Sequence, residues 1–185
     1  PGNHDRYTPR ATRRRLFETL FLKQPLSYPF ARDLAGDWTL VAFDCCVPRL
    51  LLSTGRATPE LVAGLRAALG RQRERGRRLL VLGHYPLAYP PGMKLSWQHA
   101  LTAGDRTALL EALREGGARV FFHGHQHHRW ALKTRAMLHL NCGSAGMVGR
   151  GPESGPGYLK VALPAQGDPL IEAHWLTLED GVARW

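Results

Sequence analysis

Three short segments carry side chains suited to metal and phosphate chemistry. They are Gly2-Asn3-His4-Asp5 at the chain start, Gly83-His84-Tyr85-Pro86 in the middle, and Gly124-His125-Gln126-His127 beyond it. Imidazole is the commonest side-chain metal ligand, and with carbonyl oxygen it suits Mn, Fe, Zn or Ni. The glycine before each histidine segment permits close backbone approach and unusual dihedrals. Taken singly, each segment has a plainer reading. Asn3-His4-Asp5 is then a frayed terminus, and His84 a hydrogen-bonded histidine at a strand end. His123, His125, His127 and His128 are then a surface cluster or a single zinc site. Three glycine-flanked segments in one chain are a more specific signal than any one of them.

Such segments work together only if secondary structure gathers them. Positions 8–22 predict a helix after Pro9, with Leu16, Phe17, Leu20 and Phe21 as its apolar stripe. WTLVAFD at 38–44 predicts a strand. Pro59 opens a helix after the cap Thr58, and Leu61, Leu65, Ala68 and Leu69 keep helical period toward Arg73. The apolar run Arg78–Leu82 predicts a strand buried on both faces. Pro86, Pro90, Pro91 and Gly92 make 85–104 a long loop. Asp105 is expected to cap a helix reaching about Glu115, followed by a strand at 119–122. Further strands are expected at 130–133, 137–141, 158–163 and 171–176, with a surface loop over 143–157. This order predicts an α/β layered fold ending in a meander. Strand ends of such sheets converge on one edge, where ligand sites form. The second and third histidine segments each follow a predicted strand.

A chain of 185 residues closes one hydrophobic core, so it is one domain or part of one. Its 25 Lys and Arg against 15 Asp and Glu give a formal charge of +10. The arginines are spread over helical patterns without interleaved aromatics, which argues for solvated faces and against a nucleic-acid surface. Three cysteines, two of them adjacent, form no even disulfide framework; a reducing, cytoplasmic setting is the expectation. No apolar stretch approaches the roughly 18 residues of a membrane span. The chain opens on Pro1 rather than Met, so its original N-terminus is expected to lie upstream.

The ordered motifs G-N-H-D, a histidine after a buried strand, and G-H-x-H resemble those of the calcineurin-like metallophosphoesterase superfamily. The resemblance runs through nearly the whole chain, including Gly143-Ser144 after the last motif. Gly2–Tyr7 and Gly55-Arg56 are most similar to bacterial cyclic-nucleotide phosphodiesterase-like members. The resemblance implies a layered α/β/β/α sandwich, of which residues 1–185 would be the C-terminal portion with the N-terminal part missing. It also implies two metal ions, divalent or trivalent, drawn from Mn, Fe or Zn. Asn3, His84 and His125 would bind one ion and His127 the other. His4 would protonate the leaving oxygen or stabilise the transition state, with Asp5 bonded to His4 to orient it. The superfamily's earlier motifs, D-x-H and G-D-x-x-D, are absent, and Asp33, Asp37 and Asp44 lie in neither context. A missing N-terminal part would supply those ligands, so this chain alone is expected to be a poor enzyme that holds one ion weakly.

The implied reaction is hydrolysis of a small phosphomonoester or phosphodiester, with a cyclic-nucleotide diester as the leading substrate. A nuclease or lipid-pyrophosphate hydrolase follows. The rivals from other classes are a non-catalytic scaffold of the same fold and a simple metal-binding module. Arg6, Tyr7, Trp97 and His99 are candidates for substrate contact, each with a structural role as its alternative.

Overall fold

The structure is a computed structural model that describes residues 1–24, 26–48, 54–93, 100–144, 156–175, 177–179 and 182–184. A six-stranded sheet in the order β1-β2-β3-β4-β6-β5 organises it. Its strands are β1 (Phe30–Asp33), β2 (Trp38–Ala42), β3 (Arg78–Leu82), β4 (Ala118–His123), β5 (Arg129–Lys133) and β6 (Leu138–Cys142). The central strands β2, β3, β4 and β6 run parallel, while β1 and β5 pair antiparallel at the two edges.

Two crossover helices make the parallel order possible. Thr58 Oγ1 accepts from Leu61 N at 3.2 Å and Pro59 opens α2 (Pro59–Glu74), as the sequence predicts. The cap of α3 (Ala103–Glu115) is Thr102, whose Oγ1 accepts from Asp105 N at 3.1 Å. Asp105 is therefore in the first turn and not the cap, where its charge still opposes the helix dipole favourably. Both helices cover one sheet face. Leu65, Leu69, Leu109 and Leu113 pack there with Val41, Leu79, Val81 and Phe121 in one buried cluster.

The opposite face is covered by the hairpin of β7 (Gly157–Ala162) and β8 (Leu170–Trp175). Leu159, Val161 and Ile171 pack on Trp38, Leu80, Val120 and Leu140. Arg78 fastens the hairpin: its guanidinium lies 4.2 Å from the Trp38 ring and donates to the carbonyls of Pro164, Ala165 and Gly167. A short ladder of β9 (Thr177–Glu179) and β10 (Val182–Arg184) follows. Helices, main sheet and smaller sheet thus stack in layers, the layered α/β arrangement that the sequence predicts.

Three local expectations change. The predicted helix over 8–22 divides into α1 (Pro9–Arg14) and a wide π-helical turn, Phe17–Leu22, because Arg15 turns left-handed at φ 49°. Its stripe does not face the core: Phe21 is 75% exposed, and the inward residue is Glu18. β3 is buried in its middle, but Leu82 at its end is 44% exposed. Strand β1 has no sequence signature, being an edge strand whose burial does not alternate.

Candidate metal centre

The parallel ladder continues past the strand ends and holds the histidine loops side by side. Phe43 N donates to Leu82 O, Gly83 N to Phe122 O, and Gly124 N to His84 O, at 3.0–3.1 Å. The Asn141 side chain adds a link from β6, donating through Nδ2 to Gly124 O and accepting from Gly143 N. The first segment arrives as a 3-10 turn, Asn3–Arg6, closed by Asp5 Oδ2 accepting from Gly2 N at 2.8 Å.

This framework brings three candidate donor atoms to one point. Asn3 Oδ1 lies 2.8 Å from His84 Nε2 and 3.3 Å from His125 Nδ1, and the two ring nitrogens are 3.1 Å apart. Metal–nitrogen bonds of about 2.1 Å set neighbouring ligand atoms about 3.0 Å apart in an octahedral site and about 3.4 Å in a tetrahedral one. The three atoms are already at that spacing. Burial pushes the His84 imidazole down to about 3, aided by positive charge on His125, the amino terminus, His4 and His127. The ring is thus neutral at ordinary pH, the form that binds metal. Asn3, His84 and His125 therefore fit a cation, although no group of three or more His, Cys, Asp or Glu among the described residues is arranged to hold one. The third donor here is an amide oxygen.

Small residues and strained backbone shape the cluster. A side chain at Gly2 would place its Cβ 2.9 Å from His84 Cε1, and one at Gly83 would meet Phe43 Cζ at 2.7 Å. Gly124, by contrast, has open space around it. The unusual dihedrals of that loop fall on the histidines themselves, His125 at φ 71° and His127 at φ 56°. Left-handed backbone at non-glycine residues is uncommon and gathers at functional sites. Here it turns His125 Nδ1 into the cluster.

The other candidates divide. His127 is outside the triangle, near enough for its charge to act on His84. His4 is exposed and its Nε2 lies 3.2 Å from the Tyr7 hydroxyl. Asp5 does not orient His4 as expected, since its carboxylate is committed to Gly2 N. Arg6 is withdrawn from any substrate role: it is buried and paired with Glu18 and, at 2.9 Å, with Asp44. Burial opposes its charge, but these two carboxylates raise its pKa further above the usual arginine value. Tyr7 contacts His4 and Asn3, so its first engagement is inside the site. Trp97 and His99 lie outside the described residues.

Sequence reasoning passed over Tyr85. Its buried ring lies edge-on to His84 at 4.9 Å and tilted against His125 at 4.4 Å, packed against both imidazoles. Its place directly after His84 was the available signal.

Neither a family model nor a curated protein matches the chain. Solved structures do. A dimetal phosphatase from Danio rerio superposes with a TM-score of 0.65 at 15% identity, over 94% of this chain and 68% of that one. The likeness shows a fold shared with that dimetal phosphatase. Lesser likenesses are to the GAP50 anchor of the Plasmodium inner membrane complex, with a TM-score of 0.43 and 16% identity over 68% of this chain and 38% of that one. A Staphylococcus aureus protein titled a 5'-nucleotidase gives 0.47 and 15% identity over 94% and 36%. The chain spans about two thirds of the first of these and little more than a third of the others. No helix among its described residues is long and apolar enough to cross a membrane.

Proposed function

We propose that the protein hydrolyses phosphoric esters with the help of metal ions held at the edge where β3 and β4 end. The observation that carries this reading is the convergence of Asn3 Oδ1, His84 Nε2 and His125 Nδ1 at coordination spacing, with His4 exposed beside them. The dimetal phosphatase among its structural neighbours supports it. Metal ions at such a centre supply Lewis-acid activation of water and neutralisation of charge at phosphorus.

The chain's own residues have separable tasks. Asn3, His84 and His125 hold one ion. His127 would be a ligand for a second. His4 gives a proton to the leaving oxygen. Asp5 keeps the 3-10 turn that carries Asn3 and His4 closed. Tyr85 excludes water from the inner side of the two imidazoles. Mn, Fe and Zn all suit this donor set.

The substrate is a small phosphate ester, with a cyclic-nucleotide diester the first candidate and a phosphomonoester the second. Calorimetric titration with Mn²⁺ or Zn²⁺ and turnover of cyclic AMP, bis(p-nitrophenyl) phosphate and p-nitrophenyl phosphate test the reading. One bound ion per chain and slow but measurable hydrolysis are expected. His4→Ala should lower kcat by about 10²–10⁴-fold, the usual contribution of a positioned acid, with metal still bound. A chain that retains no metal and turns over none of the three esters would sink the proposal.

A further inference from the structure

The π-helical turn Phe17–Leu22 faces its apolar residues outward. Phe21 is 75% exposed, Leu20 64% and Leu22 36%. Glu18 takes the inward position instead, drawn there by its pairing with buried Arg6. Single exposed apolar side chains are ordinary, but these are not isolated. The Phe17 ring stacks on Phe21 with centroids 5.9 Å apart, and Phe17 and Leu22 both line the cleft that runs to Leu82, itself 44% exposed. One continuous apolar surface thus joins this ridge to the open end of β3.

The charge around the ridge has one sign. From Tyr7 to Gln24 the basic side chains are Arg10, Arg13, Arg14, Arg15 and Lys23, and the acidic one is Glu18. Glu18 is buried against Arg6, so its charge is already matched. Arg10, Arg13, Arg14 and Lys23 are exposed. The Thr19 hydroxyl donates to Arg14 O at 3.1 Å, which holds the arginine-bearing segment against the ridge. Arg15 and Lys23 bracket it, each turning left-handed, at φ 49° and 52°, where its helical segment ends.

Bulky apolar side chains rimmed by cations are the composition of an element that lies in the plane of a membrane. The apolar groups enter the acyl boundary and the cations meet anionic headgroups. Firm attachment takes two such signals, and both are present here. A second copy of the chain fits poorly, because a symmetric contact sets the five cations against the same five. A nucleic acid would meet the cations but offers nothing to bury Leu20 and Leu22.

We propose that the ridge of Leu20, Phe21 and Leu22, with the basic side chains around it, docks the protein on an anionic membrane surface. The docking is independent of the hydrolase reading and holds for a chain with or without turnover.

Co-sedimentation of the full chain with vesicles of phosphatidylglycerol and phosphatidylcholine in equal parts tests it. The wild type is expected to bind them at about 0.15 M salt and to leave them at about 1 M, where the Debye length shrinks to about 3 Å. Vesicles of phosphatidylcholine alone should retain little of it. Arg13→Gln combined with Arg14→Gln removes two cations and should weaken binding about 30-fold. Phe21→Ser should weaken it about tenfold or more. All three positions are exposed, so the circular dichroism spectra should be unchanged. No binding to the mixed vesicles, equal binding to neutral ones, or wild-type affinity in Phe21→Ser overturns the proposal. So does a wild-type dimer in light scattering that Phe21→Ser splits, since the ridge is then a contact between copies. If Phe21→Ser fails to fold, the arginine variant and the neutral vesicles decide. Failure to hydrolyse any ester leaves the docking result untouched.

Discussion

Gly2 has φ −103° and ψ 178°, extended backbone open to any residue, so its backbone does not demand glycine. Space does. A Cβ there would stand 2.9 Å from His84 Cε1 and 3.1 Å from Nδ1, and the His84 ring also packs edge-on against Tyr85 at 4.9 Å. Gly2→Ala should therefore displace a ligand while leaving the fold intact. Loss of an outer-shell partner costs about 10–100-fold in metal affinity, and a shifted ligand should cost at least as much. Calorimetric titration with Zn²⁺ measures it, with the circular dichroism spectrum expected to be unchanged. Wild-type affinity in Gly2→Ala would mean that His84 is not a ligand.

The 3-10 turn Asn3–Arg6 is the element on which the site depends most, and it is anchored by charge. Arg6 Nη1 donates to Glu18 Oε2 at 3.2 Å, Nη2 pairs with Oε1, and Nε donates to Asp44 Oδ2 at 2.9 Å. One guanidinium so ties the turn to the π-helical segment and to the end of β2. Breaking a buried pair by removing one partner costs about 3–5 kcal/mol, because the other charge stays buried and unmatched. Glu18→Gln should destabilise the chain by about 3 kcal/mol in urea unfolding. Burial alone would raise the Glu18 carboxyl, but hydrogen bonding and charge from Arg6 outweigh it and hold it below its usual 4.5. A depressed folded value means the unfolded chain binds more protons. The stabilisation is complete above 4.5 and is lost as pH falls below it. Glu18→Gln should remove that part of the acid sensitivity. An amphipathic stripe of Leu16, Phe17, Leu20 and Phe21 hid this arrangement in the sequence, since hydrophobic period gives no warning that Arg6, five residues past Pro1, needs a buried carboxylate.

Across the whole molecule, the helix-covered core holds a histidine that no site uses. His139 on β6 is 0% exposed, pairs in register with Phe121 of β4, and burial pushes it down to about 4. The unfolded chain takes that proton near 6.5, while the folded one refuses it until about 4. Stability should therefore fall as pH drops from 6.5 toward 4, by about 3 kcal/mol from this residue alone. His139→Phe should flatten the decline in melting temperature over that range, read by scanning calorimetry. An equal decline in wild type and variant would show that His139 is charged in the fold. On the opposite sheet face, Leu82, Ala42, Phe30, Phe17 and Leu22 line an apolar cleft of about 330 Å³ that the β7–β8 hairpin does not cover.

The sequence by itself determined the frame. Thr58-Pro59 marked the start of α2, the run RLLVL matched β3 over Arg78–Leu82, and the histidine segments stood at the ends of β3 and β4. Capping chemistry and apolar period are local, so a chain read in order reveals them. Tertiary structure decided which atoms face one another. Asn3 meets His84 and His125 from 81 and 122 residues away, and the left-handed turns of His125 and His127 obey no period. Tyr7 rather than Asp5 reached His4, and Arg6 turned inward rather than toward substrate, because a tight turn aims adjacent side chains in different directions and only the neighbours it docks against select which groups become buried partners.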